Sequence, residues 1–299
     1  MTPPPPLRLG LLQYPVERPA DLAAWAAKLD RWIAEAKGRA DLLVLPEYAC
    51  AELGPALAGR HAPDEAAELA AMVEAADAVL AAMRAAAMRH AVWLLPGSLP
   101  MRRADGSGAV VNRAPLFAPD GRMAVQEKRA MTRFERERWG IARGADPQVF
   151  DTPWGRLGIS VCYDVEFPKH VRAQVEAGAW LVLVPACTDT MHGFNRVRFA
   201  AQARALENQC FVALSPTVGE APWCAALDSN RGFAAVHGPV DRGFPEDGVL
   251  ARGALDAPGW IFCTLDAARI ERVRREGAVL NHRDWPTGPV PPPRPAAFA

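Results

Sequence analysis

Three residues of unlike chemistry close short, largely apolar runs. Glu47 follows Asp41 to Pro46 (DLLVLP), Lys128 ends the run from Met123, and Cys162 ends Gly155 to Cys162 (GRLGISVC). An unpaired charge is costly to bury, so apolar runs that stop on ionisable groups single these positions out. Each taken alone has a structural reading, such as a carboxylate in an ion pair at a strand end. Together they form a set for nucleophilic catalysis: Glu a base, Lys a compact positive charge, Cys a nucleophile that works as its thiolate.

The other reactive side chains read differently. Cys50, Cys187, Cys210, Cys224 and Cys263 form no CxxC pair and read as small apolar residues, with Cys187 placed to line a pocket at a strand end. The six histidines show neither HxH nor HExxH spacing, so no metal is expected. A Cys-His hydrolase using His192 is a rival that leaves Glu47 and Lys128 without a role. Arg133, Arg136, Arg138 and Arg143 surround Glu135 and Glu137 and read as a solvated, salt-bridged face. Trp139, Trp154 and Trp223 fall in loops and read as pocket walls. No Gly-rich phosphate loop is present, and no cofactor is expected.

The elements that would position the trio follow from periodicity. Leu7 to Tyr14, Asp41 to Pro46, Ala91 to Pro96, Trp180 to Pro185, Cys210 to Leu214, Phe233 to Val240 and Trp260 to Leu265 read as strands. Val110 to Phe117 and Met123 to Lys128 flank an Ala-Pro-Asp-Gly turn and read as a hairpin. Helices are expected over Asp21 to Lys37, Asp64 to His90, Phe167 to Ala177, Asn195 to Asn208 and Asp266 to Glu276. Strands and helices alternate without a linker, so 1–285 reads as one α/β domain and 286–299 as a proline-rich arm. Chemistry in such folds sits at the ends of buried strands.

Of 299 residues, 50% are hydrophobic and 23% charged, an ordinary globular balance. Lys plus Arg equals Asp plus Glu at 34 each, so no overall field attracts nucleic acid or an anionic membrane. No stretch approaches the roughly 20 apolar residues of a membrane span. Scattered cysteines and a proline run at the N-terminus point to the cytoplasm.

The order of motifs resembles the nitrilase superfamily of carbon–nitrogen hydrolases, from Leu7 to about Trp285. The matching pieces are Leu45-Pro46-Glu47-Tyr48, Glu127-Lys128 with Phe134-Glu135, and the run from Gly158 through Cys162-Tyr163-Asp164 to Phe167-Pro168. Gly178-Ala179, Val184-Pro185, Ala203 to Asn208 and Gly238-Pro239 add to them. Lys169 stands where relatives often have an acid. The resemblance implies an αββα four-layer sandwich with a Glu-Lys-Cys triad at Glu47, Lys128 and Cys162. It implies a supporting glutamate after the lysine, for which Glu135 fits best and Glu137 is the neighbour. The expected activity is thiol amidohydrolysis of a small linear amide through a thioester. Lys128 would favour the thiolate, and Lys128 with the backbone N–H of Tyr163 would stabilise the oxyanion. Tyr163, where nitrile-cleaving relatives usually have Trp, favours the amidase over a nitrilase; an N-carbamoyl amine hydrolase uses the same triad. A non-catalytic binding protein on the same fold is the alternative of another class. The resemblance also implies a homo-oligomer, a dimer or a multiple of dimers.

Overall fold

The computed structural model describes residues 5–285 and 292–295, so most of the expected proline-rich arm lies outside the described residues. The first sheet is built on β1 (Leu7–Pro15), β2 (Leu42–Val44) and β3 (Trp93–Leu95), which run parallel. It continues antiparallel through β4 (Leu99–Arg102), β5 (Val110–Phe117) and β6 (Met123–Glu127). The second sheet begins with β7 (Val149–Thr152) and β8 (Gly155–Ile159), and β9 (Leu181–Ala186) and β10 (Phe211–Glu220) run parallel to β8. It extends through β11 (Ser229–Asn230), β12 (Ala235–His237) and β13 (Val249–Arg252). β14 (Gly259–Leu265) returns to the first sheet and pairs antiparallel with β1.

Among the described residues the two sheets join where β1 meets the far part of β10, at Tyr14 opposite Thr217 and Pro15 opposite Val218. Ser215 reinforces this seam, its hydroxyl donating to Leu12 O at 2.6 Å and Val44 O at 3.2 Å. Elsewhere the sheets lie face to face. Leu9, Leu11, Val44 and Leu116 of the first share a fully buried core with Leu157, Ile159, Leu183 and Leu214 of the second. Helices cover both outer faces. α1 (Leu22–Ala36) buries Trp25, Leu29 and Ile33 at helical spacing, with Asp21 capping Ala24 N at 2.8 Å. Short α2 (Gly54–Leu57), then α3 (Glu65–Glu74) and α4 (Ala76–His90), finish that side. α5 (Pro168–Glu176) and α6 (Met191–Asn208) cover the second sheet, followed by α7 (Ala267–Glu276) and α8 (Asn281–Asp284). This is the αββα sandwich.

Three expectations need correction. The single helix expected over Asp64 to His90 is two helices that break at Ala75, whose ψ is 0°. The bend lets α4 lie along α1 while α3 turns toward α2 and β4. The strand ending on Cys162 stops at Ile159, and Cys162 opens a 3₁₀ turn, Cys162–Glu166. α6 starts at Met191 rather than Asn195, because Thr190 caps it by accepting from Gly193 N. Among the described residues no helix is long and apolar enough to cross a membrane.

Candidate active site

The residues singled out for chemistry converge where strands of both sheets end. Glu47 follows β2, Lys128 follows β6, Cys162 follows β8 and Cys187 follows β9. Glu47, Lys128, Glu135 and Cys162 are all nearly inaccessible to solvent. Lys128 Nζ donates to Glu47 Oε1 at 2.7 Å and to Glu135 Oε2 at 2.5 Å. An ammonium has three donors. Two of them hold carboxylates, which leaves one to point at a developing charge.

Each carboxylate is held from several elements. Glu47 Oε1 also accepts from Asn112 Nδ2 of β5 at 3.0 Å, and its Oε2 accepts from Cys187 N at 3.2 Å. Glu135 sits in a π-helical turn, Phe134–Arg138, that points it inward. It accepts from Thr132 N and Thr132 Oγ1, each at 3.0 Å, and from Tyr48 OH at 3.0 Å. Glu137 faces outward on the same turn, 45% exposed, and pairs with Arg133 and Arg136. The buried position is therefore Glu135's, and the arginine run is the solvated face expected of it.

The nucleophile candidate occupies an unusual backbone. Cys162 has φ of 48°, in the left-handed region that costs a non-glycine residue about 1–2 kcal/mol. Its Sγ lies 3.6 Å from Cys187 O, so the backbone of Cys187 contacts both the thiol and the Glu47 carboxylate. Tyr163 is the second residue of the 3₁₀ turn, where an N–H has no acceptor inside the turn. Asp164 fastens this turn to the lysine segment. Its buried carboxylate accepts from Arg129 N at 3.1 Å and from Ala130 N at 2.7 Å, directly after Lys128.

Burial and charge then set the proton positions. Burial raises the Glu47 carboxyl and the charge of Glu135 raises it further, while Lys128 opposes them; the result is about 7. Burial pushes Glu135 the same way, but Lys128 and the Thr132 donors outweigh it and hold Glu135 below the usual range. Burial would lower Lys128, yet Glu135 and Glu47 carry it well above the ordinary lysine value. The Cys162 thiol is pushed well above its usual value by burial and by Glu47, with Lys128 only partly opposing. Lys128 thus pulls toward the thiolate as expected, but burial and Glu47 outweigh it. The largest cause is desolvation of the buried sulfur, and the charge of Glu47 adds to it.

Other sequence expectations divide. His192 is exposed on the first turn of α6. Trp139 packs edge-on against Tyr48 with ring centroids 5.3 Å apart, and Trp223 belongs to the same apolar cluster. Trp154 lies in the β7–β8 turn, at the opposite end of β8 from Cys162, and is no wall of this site. Asn112, Thr132, Asp164 and the backbone of Cys187 were not read from the sequence as parts of the site. The signal for Asn112 was an amide inside the apolar β5 run, and for Asp164 a carboxylate two residues past the cysteine.

The carbon-nitrogen hydrolase family model matches residues 8–248. A probable hydrolase, YhcX, of Bacillus subtilis is 30% identical over 280 residues, 93% of this chain, which spans only 53% of that relative's length. The deaminated glutathione amidase of a Synechocystis species is 28% identical over 66% of this chain and 72% of its own. Among solved structures, the amidase from Nesterenkonia sp. AN1, as a double mutant in complex with acrylamide, superimposes with a TM-score of 0.69. It is 26% identical over 94% of this chain and 97% of that one. With these matches on a sandwich of this topology, the chain belongs to the carbon-nitrogen hydrolase family of the nitrilase superfamily, a family of hydrolases acting on non-peptide C–N bonds.

Proposed function

We propose that this protein is a thiol amidohydrolase that cleaves a small linear amide through a thioester on Cys162. The observation that carries the reading is the buried cluster of Glu47, Lys128 and Glu135 set against a cysteine in a left-handed turn. A solved relative supports it from outside: a Glu-to-Gln mutant of the amidase from Nesterenkonia sp. AN1 shows the result of Michael addition of acrylamide at its active-site cysteine.

In the proposed cycle Glu47 takes the thiol proton as sulfur bonds to the amide carbon, so a free thiolate never has to accumulate. The oxyanion forms opposite the remaining Lys128 donor and the Tyr163 N–H. Glu47 returns the proton to the nitrogen as the C–N bond breaks, leaving a thioester and a free amine or ammonia. Water then gives a proton to Glu47 as it adds to the thioester. Collapse releases the acid and restores the thiol. Glu135 stays ionised throughout and keeps Lys128 charged.

Matched amides, ureas and nitriles of several chain lengths, read by ammonia release, test the substrate class. Amides should react and the matching nitriles should not, and Cys162→Ala should abolish turnover while remaining folded. Faster acid formation from most nitriles, or activity surviving Cys162→Ala, would overturn the reading. We further propose a homo-oligomer built on α5 and α6, and a cytosolic location consistent with six unpaired thiols.

A further inference from the structure

Asn112 is fully buried near the start of β5, and only the donor end of its side chain is used. Its Nδ2 stands 3.0 Å from Glu47 Oε1 and 3.4 Å from Glu135 Oε1, while its Oδ1 has no partner among the described residues. An unpaired buried acceptor is unfavourable, so a side chain serving packing alone would be better apolar at this position. The backbone of the same residue is also engaged, its carbonyl accepting from Lys128 N at 2.9 Å. Asn112 thus touches Glu47, Glu135 and Lys128 at once.

We propose that Asn112 is a positioning residue that bridges the two buried carboxylates opposite Lys128 and holds Glu47 oriented toward the Cys162 thiol. This rests on the roles assigned above to Glu47 and Cys162. The bridge does something Lys128 cannot do alone. Lys128 attracts both carboxylates but fixes neither in rotation, whereas a planar amide contacting one oxygen of each sets their mutual angle. The donor is also neutral. It favours the ionised form of Glu47 without adding a charge that would oppose proton uptake from sulfur. The groups facing Glu47 are Lys128 beyond β6, Glu135 and Tyr48 on the turns beside it, Cys162 on the 3₁₀ turn, and Cys187 beyond β9. Asn112 supplies Glu47 with an uncharged amide donor that takes no part in the proton transfer.

The test follows alkylation of Cys162 itself by iodoacetamide, read by peptide mass spectrometry across pH, which needs no substrate. Wild type, Asn112→Leu and the near-isosteric Asn112→Asp are compared. Removing the donor, or turning it into a third carboxylate, should raise the proton affinity of Glu47. The alkylation limb should move upward by about one pH unit or more in both variants. With an amide substrate, kcat should fall at least about tenfold with KM little changed. Should Asn112→Leu fail to fold, Asn112→Asp keeps the shape and still carries the readout. A limb that stays in place in a folded variant overturns the bridge, whatever happens to kcat. Absence of amidase activity in the wild type would instead count against the proposed function, with the alkylation limb still deciding this inference.

Discussion

In the proposed cycle Glu47 moves the proton, and its raised carboxyl comes from unequal treatment of two glutamates. Glu135 has four protein donors besides Asn112 and stays ionised; Glu47 is fully buried beside that charge. A proton entering the cluster therefore goes to Glu47, raised to about 7. The sign for activity follows directly. A base must be unprotonated in the free enzyme, so kcat/KM should rise as pH climbs through about 7 and fall roughly tenfold per unit below it. A pH profile on any accepted amide checks this. A flat profile between about pH 5 and 8 would remove Glu47 from the base role. The same reasoning makes Lys128→Arg a poor replacement, since a planar fork cannot reproduce the compact ammonium between two carboxylates.

At the scale of elements, the site depends on how closely neighbouring backbones approach the strands that carry it. Gly144 N donates to Lys128 O at 2.9 Å, and a Cβ at Gly144 would press into that carbonyl and the Glu127 side chain. Gly97 likewise abuts Pro46 O, one residue before Glu47, at φ of +92°. Gly144→Ala should displace Lys128 by a fraction of an ångström and lower kcat by about tenfold to a hundredfold in protein that still folds. Steady-state rates normalised to folded protein by circular dichroism check it; near-wild-type kcat would show that the lysine tolerates the shift. Much of this architecture was legible beforehand. The strands carrying Glu47 and Cys187 are continuous apolar runs buried on both faces. Glu47, Lys128 and Cys162 stood out by type at strand ends, and the resemblance added the four-layer sandwich and Glu135. What sequence could not show is contact between residues far apart in the chain. Asn112 looks like one polar interruption of β5 until Glu47 and Glu135 are seen on either side of it. The resemblance favoured Glu135 over Glu137, and the π-helical turn buries Glu135 while leaving Glu137 outside. The break at Ala75 carries no glycine or proline to announce it.

For the whole molecule, the question is what the outer helices of the second sheet face. Phe199 and Leu206 lie seven residues apart on α6, 56% and 41% exposed, and so share one stripe. Phe167, 42% exposed, stands at the start of α5 beside Glu166, whose carboxylate meets Arg196 of the same stripe at 3.6 Å. An aromatic and aliphatic patch rimmed by charges is the kind of surface that pairs with a second copy. The same helix packs against the 3₁₀ turn that bears Cys162, so covering its outer face would steady the proposed nucleophile. A dimer or a multiple of dimers is therefore expected at micromolar concentration, with about 800 Å² or more buried per subunit. Phe199→Glu should shift the population toward monomer, and specific activity should fall in parallel on dilution. Sedimentation velocity across a concentration series, with activity measured on the same samples, decides both points. A wild type that sediments as a monomer at micromolar concentration would refute the oligomer. A monomeric Phe199→Glu variant with undiminished activity would separate assembly from catalysis.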